Sequence, residues 1–591
     1  MSLHPNELAR RGRWASWALV ALFAILLVVF FRAQIVQHER YSMQSEENRL
    51  REVPMPAPRG IIYDRNRRIL AENVPGYSVQ LLSSSVDSLR ATLQRLARFV
   101  SLSSEQIDLV ARRYTRAPTR PAVVFADAPF SVVSILEERR LEFPGLVIES
   151  APKRFYPAGA AAVSVVGYVG EVTESELNDT SYRGYRSGQQ VGKAGLERQY
   201  ESKLRGRDGS RFVEVDARGR VVREEGARDD LTPHAGPPLS TNIDLELQRF
   251  VAALFADSLQ GGAIALDPHT GAVLALYSAP SYDPNKFIGG ISPELWKALN
   301  TDPRRPLFNK AIQGRYPPGS TWKLATAAIA LQTGVATLND HMPVPCTGQF
   351  RYGDRVFHCW DKHGHGSLTL QRAIEVSCDV YFYQLGLKVG LTRLVAGGIS
   401  LGARDRSGID LPDEARPTFP YAEVQAYYDR KYGRSGWTQA VVLNLAIGQG
   451  ENDQTVANMG RFYTALATDG DAVTPAVVQG TPARTRILQL TPAQLDGVRA
   501  AMAGVVSRGT ASSAQIQGVV LAGKTGTAQN SQDPLHDHAW FVGFAPANDP
   551  QIVVAVMLEF GGHGDRAARI ASKIIEAYLK VAPAQLLSTG G

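Results

Sequence analysis

The feature that most constrains this chain is WASWALVALFAILLVVFF, Trp14 to Phe31, an unbroken apolar run of 18 residues. As a helix rising about 1.5 Å per residue it is about 27 Å long, close to the hydrocarbon thickness of a bilayer. Arg10, Arg11 and Arg13 precede it and Arg32 follows. A cleaved leader would carry a shorter apolar region and a small-residue cleavage site, and the following FRAQIVQ offers none. Residues 14–31 therefore read as an uncleaved single-pass anchor. The arginines of the tail 1–13 favour the cytoplasmic side for that tail. No second such run occurs, so the remainder is expected outside the cytoplasm.

At 591 residues, with 44% hydrophobic and 20% charged, the chain is globular in composition and too long for one ordinary domain. Its 64 basic and 57 acidic residues give +7 without a basic block. That argues against nucleic acid as a partner and suits a surface facing anionic lipid or an acidic polymer.

Beyond the anchor, polar sequence runs to the proline cluster VPMPAPRG, which stops any helix. Strand-like segments such as RGIIYDRN and YSVQLL follow, while Val86, Leu89, Leu93, Leu96 and Val100 keep a helical stripe. Residues 32–235 thus read as an irregular mixed pedestal with a helical head at about 84–150, carrying no catalytic spacing. After the linker EEGARDDLTPHAGPPLS, GGAIALDPHTGAVLALYS reads as a hairpin. GVVLAGKTGTAQN, HAWFVGFAP and QIVVAVMLEF give three more strands near the other end, then a helix over 566–579. Helical patterns fill the middle. An α+β domain over 238–582, a sheet covered by helices, is expected, with a short tail at 583–591.

In YPPGSTWK the prolines and Gly319 block an earlier helix, and STWKLATAAIALQTG reads as one that stops at Gly334. Residues three apart share a face, so Lys323 can approach Ser320. A lysine activates a serine only when neutral, and its ordinary pKa of about 10.4 would have to fall by about three, roughly 4 kcal/mol. Burial and a second cation both act in that direction. Alone, S-x-x-K is more often a capping serine and a solvated lysine. Its company changes the odds: Ser377-Cys378-Asp379 ends one segment, and Lys524-Thr525-Gly526-Thr527 opens a strand. Ser377 can relay a proton, and Lys524 can be the second cation that depresses Lys323. Thr525 and Thr527, with Lys524, can bind a carboxylate on a substrate strand laid along this edge. The Ser320 and Thr527 N–H groups are candidate oxyanion donors.

S-x-x-K, S-x-N/D and K-T-G, in this order, are the signatures of penicillin-binding proteins and serine β-lactamases. RGIIYDRN, RFYPAG, GLERQYE, LDPHTGAVLAL, SCDVYFYQLG, AIGQG and HAWFVGFAP extend the likeness over nearly the whole chain. It resembles a class B penicillin-binding protein, and among these the elongation group, in which Asp replaces the usual Asn at position 379. The resemblance implies a penicillin-binding transpeptidase domain with an antiparallel sheet, in the bacterial inner membrane with its bulk periplasmic. It implies a peptidoglycan D,D-transpeptidase in which Ser320 attacks a stem peptide ending in D-Ala-D-Ala, expels D-alanine and passes the acyl group to a neighbouring amine. Ser320, Lys323, Ser377, Asp379 and Lys524 would be catalytic, and Thr525, Gly526 and Thr527 would bind substrate. Penicillin and other β-lactams would acylate the same serine. Implied partners are nascent stem peptides, a RodA-like glycan polymerase of the SEDS family and an MreC-like scaffold. The competing functions are a division-type transpeptidase, a D,D-carboxypeptidase or a non-catalytic β-lactam sensor.

The only cysteines, Cys346, Cys359 and Cys378, lie between the first motif and the end of the second, with His363 and His365 among them. A Cys346–Cys359 disulfide suits an oxidising compartment but leaves one thiol over. A zinc site of Cys346, Cys359, His365 and Cys378 uses all three, and the resemblance favours it because the elongation group holds zinc in this region. His358 and His363 are weaker ligand candidates. No organic cofactor is implied.

Overall fold

The structure is a computed structural model that describes residues 5–39, 41, 50–116, 121–186, 188–216, 221–223, 229–255, 258–530, 533 and 535–586. The apolar run forms one helix, Pro5–Phe31, ending in a π turn at Arg32–Val36. Its apolar side chains are exposed, Leu27 to 70%. Among the described residues it is the one helix long and apolar enough to cross a membrane.

The rest divides into two compact units. The first holds residues 75–153 and 206–235 with the N-terminal 58. Its sheet pairs Leu50–Met55 with Gly209–Val215, and the latter with Val221–Arg223, all antiparallel. Helices Val86–Leu96, Ser104–Arg116 and Phe130–Glu138 lie within the stretch read as a helical head. The stripe anticipated there buries Leu89, Leu93 and Leu96 against Val79, Tyr114, Leu136 and Phe143. Ser85 caps the first of these helices by accepting from the Ser88 N–H.

The second unit holds residues 59–74, 154–205 and 236–591. The stretch 32–235 contributes residues to both units, and a buried charge cluster ties together those of its segments that belong to the second. Glu197 is fully buried, 2.6 Å from Arg154 and 2.7 Å from Arg59, and Arg59 also meets Glu201 at 2.8 Å. Burial alone would raise the Glu197 carboxyl, but the two guanidinium groups outweigh it and hold it low. Breaking such a buried cluster strands a charge, so the RGI, RFY and GLERQYE segments stay with this unit.

Its sheet has five antiparallel strands in the order Val273–Ala279, Gly261–Leu266, Ile552–Leu558, His538–Ala545, Ala522–Ala528. The two anticipated hairpin strands are joined to the three late strands through Gly261–Leu266 and Ile552–Leu558. Every residue of four of these strands is buried, so both faces are covered and the strands read as continuous apolar runs rather than alternating ones. Helices Val456–Ala467, Pro492–Ser507 and Asp565–Leu586 pack on the sheet. Ala522–Ala528 is the edge strand, and it carries the K-T-G motif.

Candidate active site

Ser320 lies in a 3-10 turn, Gly319–Trp322, and Lys323 opens the α-helix Lys323–Gln332. The expected single helix from Ser320 is thus two pieces. Residues three apart still eclipse in a 3-10 turn, so the shared face survives. Pro318 accepts from the Thr321 hydroxyl at 2.6 Å, the Gly319 N–H donates to Gly448 at 3.0 Å, and Tyr463 donates to the Thr321 carbonyl at 2.9 Å. Gly319 has φ +53°, and a Cβ there would come within 2.6 Å of the Thr527 carbonyl oxygen. Only glycine lets the serine turn lie this close to Thr527 on the edge strand. Ser320 itself is half-buried.

Lys323 is fully buried. Its ammonium donates to Asp379 Oδ1 at 2.7 Å, to the Ser377 carbonyl at 2.8 Å and to Ser377 Oγ at 3.3 Å. From the other side Lys524, also fully buried, donates to Ser377 Oγ at 2.8 Å and to the Thr525 carbonyl at 3.0 Å. One hydroxyl therefore stands between two lysines, whereas the relay expected of it ran from Lys323 to the leaving group. Ser377 holds φ +55°, a strained conformation for a residue with a side chain. The sequence placed the depressed amine at Lys323 with Lys524 as the cause. In the structure Lys524 is itself pushed well below an ordinary lysine, by burial first and then by Lys323, against the opposing pull of Asp379.

Asp379 begins the helix Asp379–Val389. Its Oδ2 accepts from the Trp360 backbone N–H at 3.0 Å, so both carboxylate oxygens are engaged. Thr525 Oγ1 pairs with Thr510 Oγ1 at 2.6 Å. Thr527 is half-buried one turn of the pleat further on, and Gly526 lies where a Cβ would meet the Pro318 carbonyl at 2.8 Å. Behind the second motif, buried Glu375 is clasped by Arg372 and by Arg508, the latter at 2.5 Å. Sequence reading missed Trp360, Thr510, Glu375 and Gly448. Signals existed for Trp360, a large aromatic directly after a candidate ligand, and for Gly448, inside the AIGQG segment; Thr510 and Glu375 meet the motifs through distant chain crossings.

Cys346, Cys359 and Cys378 are free and buried, and with His365 they place four donor atoms within 4.8 Å of one another. His365 Nδ1 is 3.6 Å from Cys346 Sγ and 3.5 Å from Cys359 Sγ. A tetrahedral zinc with bonds of about 2.3 Å to sulfur and about 2.0–2.1 Å to nitrogen requires sulfur-to-nitrogen edges of about 3.6 Å, so this donor set fits that ion. A hydrogen bond from Cys378 pulls the Cys359 thiol far below its usual range, whereas the same bond and burial push Cys378 up.

The arrangement of a serine turn, an S-C-D turn and a K-T-G edge strand defines a serine acyltransferase site of the penicillin-recognising type. Residues 261–576 match the family model for the penicillin-binding protein transpeptidase domain, and 54–238 match that for the penicillin-binding protein dimerisation domain. The chain is 33% identical to the peptidoglycan D,D-transpeptidase MrdA of Escherichia coli K12, covering 96% of this chain and 93% of that one. Among solved structures it resembles the complex between penicillin-binding protein 2 and MreC from Helicobacter pylori, with TM-score 0.78 and 27% identity over 90% of this chain and 99% of that one. It also resembles a chain of a peptidoglycan synthase complex that coordinates polymerization and crosslinking, with TM-score 0.69 and 30% identity over 96% and 98%. This chain belongs to the class B penicillin-binding proteins, and among them it is most like penicillin-binding protein 2.

Proposed function

We propose that the protein is the peptidoglycan D,D-transpeptidase of cell-wall elongation, working through an acyl-enzyme on Ser320. The observation that carries this reading is the convergence of Lys323 and Lys524 on Ser377 Oγ, at 3.3 and 2.8 Å, beside the Ser320 turn. Lys524 rests towards its neutral form; the donor's terminal carboxylate, once bound against it, favours its charged form, and it then accepts a proton from Lys323 through the Ser377 hydroxyl. Lys323, now neutral, takes the Ser320 proton as Oγ attacks the carbonyl carbon of the penultimate D-alanine. The oxyanion gathers against the Ser320 and Thr527 N–H groups. Collapse breaks the peptide bond, and D-alanine leaves with a proton returned from Lys323. The amine of a neighbouring stem then attacks the ester, loses its proton to the same lysine and restores Ser320, leaving a new peptide cross-link. Lys524, Thr525 and Thr527 hold the donor's terminal carboxylate, with Thr510 orienting the Thr525 hydroxyl.

Cys346, Cys359, His365 and Cys378 would hold one zinc ion. When bound it supplies structural bracing, since four protein donors leave no position open for chemistry. Cys378 lies between Ser377 and Asp379 at the N-cap position of the Asp379–Val389 helix, so fixing its sulfur fixes both neighbours. The Pro5–Phe31 helix would anchor the chain as a single span, with the two folded units periplasmic. The likeness to a penicillin-binding protein 2 in complex with MreC, and to a chain of a complex that coordinates polymerization and crosslinking, supports an MreC-like scaffold and a glycan polymerase of the RodA-like kind as partners.

Ser320→Ala tests the assignment. It should abolish both covalent penicillin labelling and cross-linking of stem peptides while leaving the melting temperature unchanged. Retention of either reaction would overturn the assignment of Ser320.

A further inference from the structure

The Trp360 side chain is 59% exposed, yet its ring is not free. The indole Nε1–H donates to the Val376 carbonyl at 3.0 Å, and the ring centroid lies 5.3 Å from that of His365. The backbone N–H of the same residue donates to Asp379 Oδ2 at 3.0 Å. Trp360 thus brackets the S-C-D turn, its side chain fixed to the residue before Ser377 and its main chain to the residue after Cys378. Only two hydrogen bonds separate its amide from the Lys323 ammonium.

An indole whose polar atom is satisfied by a backbone carbonyl, and whose apolar area is left in water, presents a rigid surface with little further entropy to lose on contact. That surface adjoins the S-C-D turn, whose Ser377 hydroxyl accepts from both lysines. The Lys524 end of the edge strand takes the donor's charged terminus, so chain preceding D-Ala-D-Ala runs away from it. Methylene groups pack well on an aromatic face while keeping a polar end wet.

We propose that the indole face of Trp360 is a specificity wall of the donor site, on which the long aliphatic side chain of the residue preceding D-Ala-D-Ala packs. This rests on the transpeptidase reading above. The ring makes no bond to a reacting atom, and its amide holds Asp379 whatever the side chain, so ring and amide are separable by substitution.

The test compares acylation of the full-length protein by two synthetic donors that differ only at the residue preceding D-Ala-D-Ala, one carrying lysine and one alanine. Wild type should prefer the lysine donor. Trp360→Ala should lower kcat/KM for that donor about tenfold more than for the alanine donor. An equal fall for both donors would make Trp360 a structural bracket only, and an unchanged preference would also overturn the proposal. Melting temperature and zinc content report whether Trp360→Ala folds. If it does not, Trp360→Phe should keep most of the preference and Trp360→Leu should lose it, and the reverse order would overturn the wall. Failure of wild type to be acylated by either donor or by penicillin would instead overturn the transpeptidase reading.

Discussion

Lys323 Nζ lies 2.7 Å from Asp379 Oδ1, and the partners of that ammonium are Asp379 and Ser377 rather than Ser320. The lysine is stored in a buried ion pair and must be released for attack. Asp379→Ala strands a buried cation and should cost about 3–5 kcal/mol of stability, read by denaturant unfolding. Asp379→Asn, which keeps an acceptor for Lys323, should recover part of that loss. Equal stability of wild type and Asp379→Ala would contradict the pair.

Lys524 makes a pH-dependent contribution. Its folded value is depressed, by burial and then by Lys323, so between that value and about 10.4 the unfolded chain holds a proton that the folded chain lacks. Stability attributable to Lys524 therefore rises with pH through that window, by at most about 1.4 kcal/mol per pH unit. Lys524→Met should be most advantageous to stability below the window and lose that advantage as pH rises. A difference in unfolding free energy that does not vary with pH would refute the depression.

Gly319→Ala should separate the serine turn from the edge strand. The new Cβ would meet the Thr527 carbonyl at 2.6 Å at a φ of +53°. Strain of about 1–2 kcal/mol is expected from the backbone alone. Penicillin acylation should slow by about tenfold or more, because a misplaced oxyanion donor loses much of its effect. Stopped-flow acylation at wild-type rate would rule out the contact.

Metal analysis should find one zinc per chain. Chelation should lower the melting temperature and slow penicillin labelling together, and added zinc should restore both. Cys378→Ser should weaken zinc and slow labelling, while His363→Ala, outside the four-donor cluster, should do neither. Labelling that survives complete zinc loss would detach the metal from the reaction centre.

Legibility in the sequence followed the range of the interactions. The apolar N-terminal helix, the 261–279 hairpin, the three late strands and the Leu89–Leu93–Leu96 stripe were readable because each rests on local periodicity or turn chemistry. Motif order brought Ser320, Lys323, Ser377 and Lys524 together, but it could not say which atoms meet. The pairing of Lys323 with Asp379 depends on a helix start 56 residues away. Thr510 reaches Thr525 across the join of a helix and the edge strand. The tie among those segments of 32–235 that belong to the second unit is Glu197 meeting Arg59 and Arg154, a coincidence of three segments with no spacing to announce it.

Ser377 sits at φ +55° with both lysines on its hydroxyl. Glycine is the residue that would occupy this conformation without cost, and it is the residue with no hydroxyl to offer. Comfort of the main chain and passage of a proton are thus mutually exclusive choices at position 377. A stabilising screen that selects only for melting temperature would be drawn to this residue, and each step it gained there would be a step away from a working enzyme.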